Sequence, residues 1–348
     1  MAEAQRLQAV RVRFPAARGY LDSATIGLPP DTAVAELLDA VEEWRTGRAS
    51  APAYDAWVGR ARAAFARLAG VPASRVAIGA QVSASAGVVA ATLREGDEVL
   101  CAEGDFTSIL FPFLVARQRG VRVRAVPLER IAEAVGSRTA LVAVSAVQSS
   151  DGRVADLDAI AAAASAHGTA TFVDATQACG WLDPGAERFD YVACSAYKWL
   201  LSPRGTSFLI VRPERLAAVA PLLAGWYAGE DPWDSIYGEP LRLARDARRL
   251  DLSPAWLPWV GAAPALELLA DIGAETIGRH AVALADGLRE RLGLPPARSA
   301  IVSVDRPGAR ERLERAGIRA SVRGGAVRLA FHLYNDGDDA AAVAAALA

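Results

Sequence analysis

The sequence predicts an α/β protein. A large domain holds a mostly parallel seven-stranded sheet sandwiched by helices, and a smaller C-terminal α/β domain follows. Seven short apolar runs carry the first part: Val76–Ile78, Glu98–Cys101, Val121–Val126, Ala140–Val147, Ala170–Val173, Tyr191–Cys194 and Ser207–Val211. They lack the alternation of a half-exposed strand and read as strands buried on both faces. Amphipathic stretches at 82–94, 107–119, 127–135 and 155–167 lie between most of them. Such β–α alternation means parallel strands joined by crossover helices. The pattern then changes near residue 250, which marks the second domain.

Taken in order, residues 31–47 and 54–70 have helical spacing, with Val34, Leu37, Leu38, Val41 and Trp44 on one face of the first. The seven runs follow. The stretch 222–254, opening with LLAGWYAGEDPWDSIYGEP, breaks the alternation. It reads as an ordered loop over a cleft, with an aromatic cluster of purely structural role as the alternative. Helices are expected at 255–274 and 276–292, strands at 299–304, 319–323 and 325–331, and a last helix at 337–347. The expected boundaries are 15–250 for the large domain and 251–348, joined by 1–14, for the small one.

Composition excludes several classes. At 52% hydrophobic and 22% charged residues, the 348-residue chain is not disordered. With 38 basic against 40 acidic side chains it has no electrostatic footprint for nucleic acid. No apolar run has membrane-spanning length, and the charged start MAEAQRLQAVRVRFPAARGY lacks a signal-peptide core. Cys101, Cys179 and Cys194 are scattered, as are His167, His280 and His332. This excludes a disulfide framework or zinc cluster and points to the cytoplasm.

One count is informative. Of the 38 basic residues, 37 are arginine and one is lysine, Lys198. Arginine stays protonated and cannot act as an amine nucleophile, whereas a desolvated lysine can form a Schiff base. Lys198 follows the run Tyr191–Cys194, in Ser195-Ala196-Tyr197-Lys198-Trp199. Asp174 follows the run Ala170–Val173, in Asp174-Ala175-Thr176-Gln177. A carboxylate directly after a buried strand must be paired or hydrogen-bonded. After Val76–Ile78, the turn Gly79-Ala80-Gln81-Val82-Ser83 opens a helix whose free N–H groups suit a phosphate. Gln148-Ser149-Ser150-Asp151-Gly152 forms a fourth turn of this kind. Ligands of open α/β sheets bind outside such carboxyl ends. A lysine amine, a buried carboxylate and a phosphate anchor are together what pyridoxal 5'-phosphate requires.

These residues resemble the class V aminotransferases, fold-type I pyridoxal phosphate enzymes. The group includes cysteine desulfurases, kynureninases, isopenicillin-N-epimerase-like proteins and C–S lyases. The resemblance runs from about Tyr20 to Asn335 and is most specific in VDATQ and SAYK, within 173–198. It implies that Lys198 carries the cofactor as an imine and shuttles protons, and that Asp174 pairs with the pyridine nitrogen. Gln177 would donate to the ring hydroxyl oxygen, and Ser195 would hold the phosphate. Tyr197 stands where many members have a phosphate-binding histidine. Ala80, Gln81 and Val82 occupy the phosphate-cradle turn, with Gln81 in place of the common threonine. Phe106 would stack on the cofactor, and Ser149 would lie near its ring oxygen and the substrate. Arg328, in VRLAFHLYN (327–335), would bind the substrate carboxylate.

The opening YLDSATIGLPP (20–30) and GWYAGEDP (225–232) are most similar to kynureninase. LSPAW (252–256) resembles the segment contributed by a neighbouring subunit, which implies a homodimer with shared active sites. Ile26, Trp226, Tyr227, Trp233 and Trp256 are expected to shape the side-chain pocket, an aromatic dimer interface being the alternative. The small domain contains no cysteine, which argues against persulfide-forming desulfuration. The reading leans to β-elimination or C–S or C–C lysis of an amino acid. Transamination and epimerisation are the alternatives, together with a degenerate, non-catalytic member of the family. A nicotinamide dehydrogenase is disfavoured, because no GxGxxG follows the first strand.

Overall fold

The structure is a computed structural model that describes residues 2–348, with side chains from Gln5 onward. Helices α1 (Ala2–Arg11), α2 (Asp31–Arg45) and α3 (Ala51–Leu68) precede the main sheet. Its elements are β1 (Val76–Gly79), α4 (Val82–Ala90), β2 (Glu98–Ala102), α5 (Thr107–Ala116), β3 (Arg122–Val126), α6 (Ile131–Ala134), β4 (Thr139–Ser145), α7 (Leu157–His167), β5 (Ala170–Asp174), β6 (Tyr191–Ser195), β7 (Ser207–Val211) and α8 (Pro213–Leu216). After α9 (Trp256–Ile272) and α10 (Ala274–Leu292) come β8 (Ile301–Val304), α11 (Ala309–Arg315), β9 (Ser321–Arg323), β10 (Ala326–Ala330) and α12 (Gly337–Leu347).

The seven strands run in the order β1-β7-β6-β5-β4-β2-β3. Strand β7 is antiparallel to both neighbours, β1 and β6, and the other pairings are parallel. The carboxyl ends of β1, β4, β5 and β6 therefore share one edge. Successive residues of a strand enter cores on opposite faces of the sheet: Phe208 and Ile210 on one, Leu209 and Val211 on the other. This is why these strands read as unbroken apolar runs. The exception is β3, expected to be buried on both faces. It is the sheet edge, with Arg122 and Ala125 exposed, and arginines at its start and centre blunt the open edge. The helix expected at 127–135 is also cut down. Between Pro127 and Gly136 the chain makes only a 3₁₀ turn and the single turn of α6.

The second sheet is antiparallel, in the order β8-β10-β9. The N-terminal segment joins this part of the molecule. Arg11 pairs with Asp336, and Tyr20 and Asp22 form bridges to Arg319 and Ala330. Helix α9 follows residue 250 yet packs on α2 and α3, with its Trp259 edge-on to Phe208 of β7 at 5.4 Å. No helix among the described residues is long and apolar enough to cross a membrane.

A buried ion pair fastens β1. Arg62 of α3 donates to both carboxylate oxygens of Asp251, at 2.7 and 3.0 Å, and to the Val76 carbonyl at 2.7 Å. Asp251 is 0% exposed and also accepts from the Ile78 N–H at 2.8 Å. Burial pushes its carboxyl pKa up, and the Arg62 guanidinium opposes this. Residues 222–254 are ordered by short turns and an aromatic cluster in which Trp226 lies 5.3 Å from Tyr227 and 5.2 Å from Trp233.

Candidate active site

All four turns identified from the sequence open onto one pocket at the carboxyl edge of the main sheet. Ala80, Gln81, Val82, Phe106, Ser149, Asp174, Gln177, Ser195, Tyr197 and Lys198 all line it. Arg328 does not. It lies behind the wall at 1% exposure, where it donates to the carbonyl and hydroxyl of Ser149 and to Thr25 Oγ1.

Lys198 follows β6 by three residues and is 5% exposed. Its backbone is clamped from outside. The Gly27 N–H donates to the Tyr197 carbonyl at 2.9 Å, and a Cβ at Gly27 would sit 2.1 Å from the Lys198 carbonyl oxygen. Only glycine lets the opening segment lie this close. Three residues on, Leu201 takes a left-handed φ of 54°, a strained conformation for this residue, held by complete burial. Burial lowers the Lys198 amine to about 8. Asp174 opposes that shift, while the Arg328 and Arg323 guanidinium groups add to it.

Asp174 ends β5. Its Oδ1 accepts from the Thr176 N–H at 2.9 Å, and burial pushes the carboxyl above its ordinary value. The Thr176 hydroxyl accepts from the Ser195 N–H at 3.0 Å, which ties the turn after β5 to the turn after β6. Gln177 is held on three sides. Trp199 donates to its Oε1 at 2.7 Å, while its Nε2 donates to the Ala24 carbonyl and to Ser149 Oγ. With both amide protons of Gln177 occupied, Ser149 Oγ is the hydroxyl it places at the pocket wall.

On the other side, the Lys198 Nζ stands 5.1 Å from the centroid of the Phe106 ring, which projects from the start of α5 and is 43% exposed. Helix α4 begins at the pocket with Gln81 in an extended conformation and no side-chain cap on its first N–H groups. Such an N-terminus attracts an anion. The donor set thus fits an aromatic aldehyde bearing a phosphate and a basic ring nitrogen: an amine of lowered pKa, a buried carboxylate, a flat ring and an uncapped helix start.

Some expectations fail. Trp226, Tyr227, Trp233, Trp256 and Ile26 do not line this pocket. Trp256 stacks on Tyr54 at 5.9 Å, and the Tyr227 hydroxyl bonds to Asp55. The loop 222–254 does not cover the cleft of its own chain. Its aromatics pack among themselves, and Tyr237 is 90% exposed. Sequence reasoning also passed over Ser108, Ser145, Val147, Thr176 and Arg204, all pocket-lining, and over Thr25 and Arg323, which meet at the Thr25 hydroxyl. Thr176 could have been found from its place between Asp174 and Gln177. Arg204 is one of 37 arginines, and nothing in the sequence sets it apart.

The aminotransferase class-V family matches residues 47–312. The isopenicillin N epimerase of Streptomyces clavuligerus is 32% identical over 273 residues, 71% of this chain and 67% of that protein. A probable cysteine desulfurase of Methanothermobacter thermautotrophicus is 26% identical over 310 residues, 81% of this chain and 75% of that protein. Among solved structures, the cystine C–S lyase C-DES in complex with its reaction product cysteine persulfide superposes with a TM-score of 0.85 at 22% identity, covering 96% of this chain and 98% of that one. With an intact lysine–aspartate pocket on the shared fold, the chain belongs to the class V aminotransferase family of pyridoxal-phosphate-dependent enzymes.

Proposed function

We propose that the protein is an amino-acid lyase that works by β-elimination, cleaving a C–S or C–C bond, with Lys198 as its base. One observation carries this reading. Among the side chains lining the pocket, Lys198 supplies the only amine, and no histidine, cysteine or glutamate lines it. A β-elimination needs one base, which takes the Cα proton and then protonates the departing fragment. Inversion at Cα needs a second group that delivers a proton to the opposite face. The three cysteines are buried and none lies in 251–348, so a sulfur fragment would leave free instead of passing to a protein thiol.

Pyridoxal phosphate, when bound, supplies an electron sink for the bonds at Cα. The chain's own residues do the rest. Asp174 holds negative charge at the floor of the pocket, opposite Lys198. Phe106 presents a flat apolar face. The start of α4, with Ala80, Gln81 and Val82, and Ser195 and Tyr197 hold the phosphate. Gln177 orients Ser149 toward the ring oxygen. Arg328 braces Ser149 and Thr25 from behind the pocket wall and lends positive charge to that side of the site. The same reading includes a homodimer, to which the exposed aromatic loop 222–241 would contribute, and residence in the cytoplasm, where the unpaired thiols stay reduced.

An amino-acid panel tests the reaction. Keto acid with an equal amount of ammonia is expected, accompanied by sulfide or persulfide from sulfur-containing substrates. Keto acid without ammonia would establish transamination instead, and loss of optical activity without keto acid would establish epimerisation.

The state of Lys198 gives a second expectation. Its pKa in the cofactor-free protein is lowered to about 8, so the neutral, nucleophilic amine increases as pH rises through that value. The rate of pyridoxal phosphate uptake, followed by imine absorbance, should climb between pH 7 and 9 and then level off. An exposed lysine would still be climbing at pH 10.

A further inference from the structure

We propose that Arg204 is the counter-charge for the cofactor phosphate, acting from beside Tyr197. The charged side chains lining the pocket are Asp174, Lys198 and Arg204. Lys198 is committed to the imine, and Asp174 adds negative charge. A phosphate monoester brings nearly two negative charges. The start of α4 offers N–H groups and a fractional positive charge. Arg204 is the only full cation left at the pocket to balance it.

Sheet topology places it for this task. Strand β7 lies between β1 and β6 and runs against both, so that Ser207 at its start is paired with Gly79 and with Ser195. The turn that enters β7, Pro203-Arg204-Gly205, therefore sits between the helix-start cradle after β1 and the Ser195–Lys198 segment after β6. Gly205, at φ 102°, makes that turn possible.

Arg204 is also held in place with its donors unspent. Its side chain is exposed, yet it makes no ion pair or side-chain hydrogen bond among the described residues. Some other surface arginines spend theirs in ion pairs, as Arg60 does with Glu267 and Arg45 with Glu42. Its guanidinium carbon lies 5.2 Å from the centroid of the Tyr197 ring. Stacking on an aromatic face fixes a guanidinium while leaving its N–H fork open to a phosphate. Burial pushes the Tyr197 pKa up, so its hydroxyl stays protonated and can donate to the same group.

The inference rests on pyridoxal phosphate occupying this pocket, and titration of the unaltered protein checks that separately. The test compares binding of pyridoxal phosphate with that of pyridoxal, which lacks the phosphate, in Arg204→Gln and Arg204→Lys. Arg204→Gln should weaken pyridoxal phosphate about 10- to 100-fold and leave pyridoxal unchanged, because a charge-assisted contact to one group is lost. Arg204→Lys should recover part of the loss. Unchanged pyridoxal phosphate affinity, or equal weakening of both compounds, would overturn the proposal. Circular dichroism of the exposed-site variants separates either result from misfolding.

Discussion

Replacing Lys198 with alanine is expected to lower turnover by about 10⁴-fold, the full range attributed to a positioned general acid–base group. The yellow imine should vanish from the purified protein, and borohydride should no longer fix the cofactor to the peptide around residue 198. Lys198→Arg separates charge from chemistry. Arginine restores the cation beside Asp174 but stays protonated, so it should be as inactive as alanine. The chain offers no substitute, since its other 37 basic side chains are all arginine. Turnover above a hundredth of the original in Lys198→Ala would refute the assignment of this residue.

The largest expected loss of stability comes from Asp251→Ala. The carboxylate is fully buried and binds two nitrogens of Arg62, which is 8% exposed, together with the Ile78 N–H. Removing it leaves a buried guanidinium without its counter-ion and an amide without its acceptor. Breaking such a pair costs about 3–5 kcal/mol. That is a large share of the roughly 5–15 kcal/mol that holds an ordinary domain together. Chemical denaturation would read the loss, with Asp271→Ala as a control. The Arg67–Asp271 pair lies at the surface, 58% and 61% exposed, and should be worth less than about 1 kcal/mol. Asp251 also fixes β1, which leads into the phosphate cradle. Residual folded Asp251→Ala should therefore release cofactor more readily. A loss no larger than that of Asp271→Ala would show that the buried pair has little net value.

Much of this molecule was legible before its structure. The seven strands were visible because apolar runs without alternation arise when both faces of a strand are buried, as Phe208, Leu209, Ile210 and Val211 illustrate. Edge strand β3 looked the same in sequence. Its position came from the pairing order, which no local pattern encodes. Asp174 and Lys198 were legible as candidates for chemistry, since Asp174 directly follows an apolar run, Lys198 lies in the short turn after another, and Lys198 stands alone in an arginine-rich chain. The aromatic residues of 222–256 misled. Their composition suggested a pocket wall, but they pack on one another and on α2 and α3.

Residue order alone therefore determined the α/β class, and it marked a candidate amine and a candidate acidic partner, because burial and bond chemistry leave marks at single positions. Only the tertiary structure separated the arginines by place. Arg328 lies behind the wall, held by Ser149 and Thr25. Arg204 lines the pocket, because β7 runs antiparallel between β1 and β6. A guanidinium is the same group at every position. Its role is set by what the packed chain brings near it.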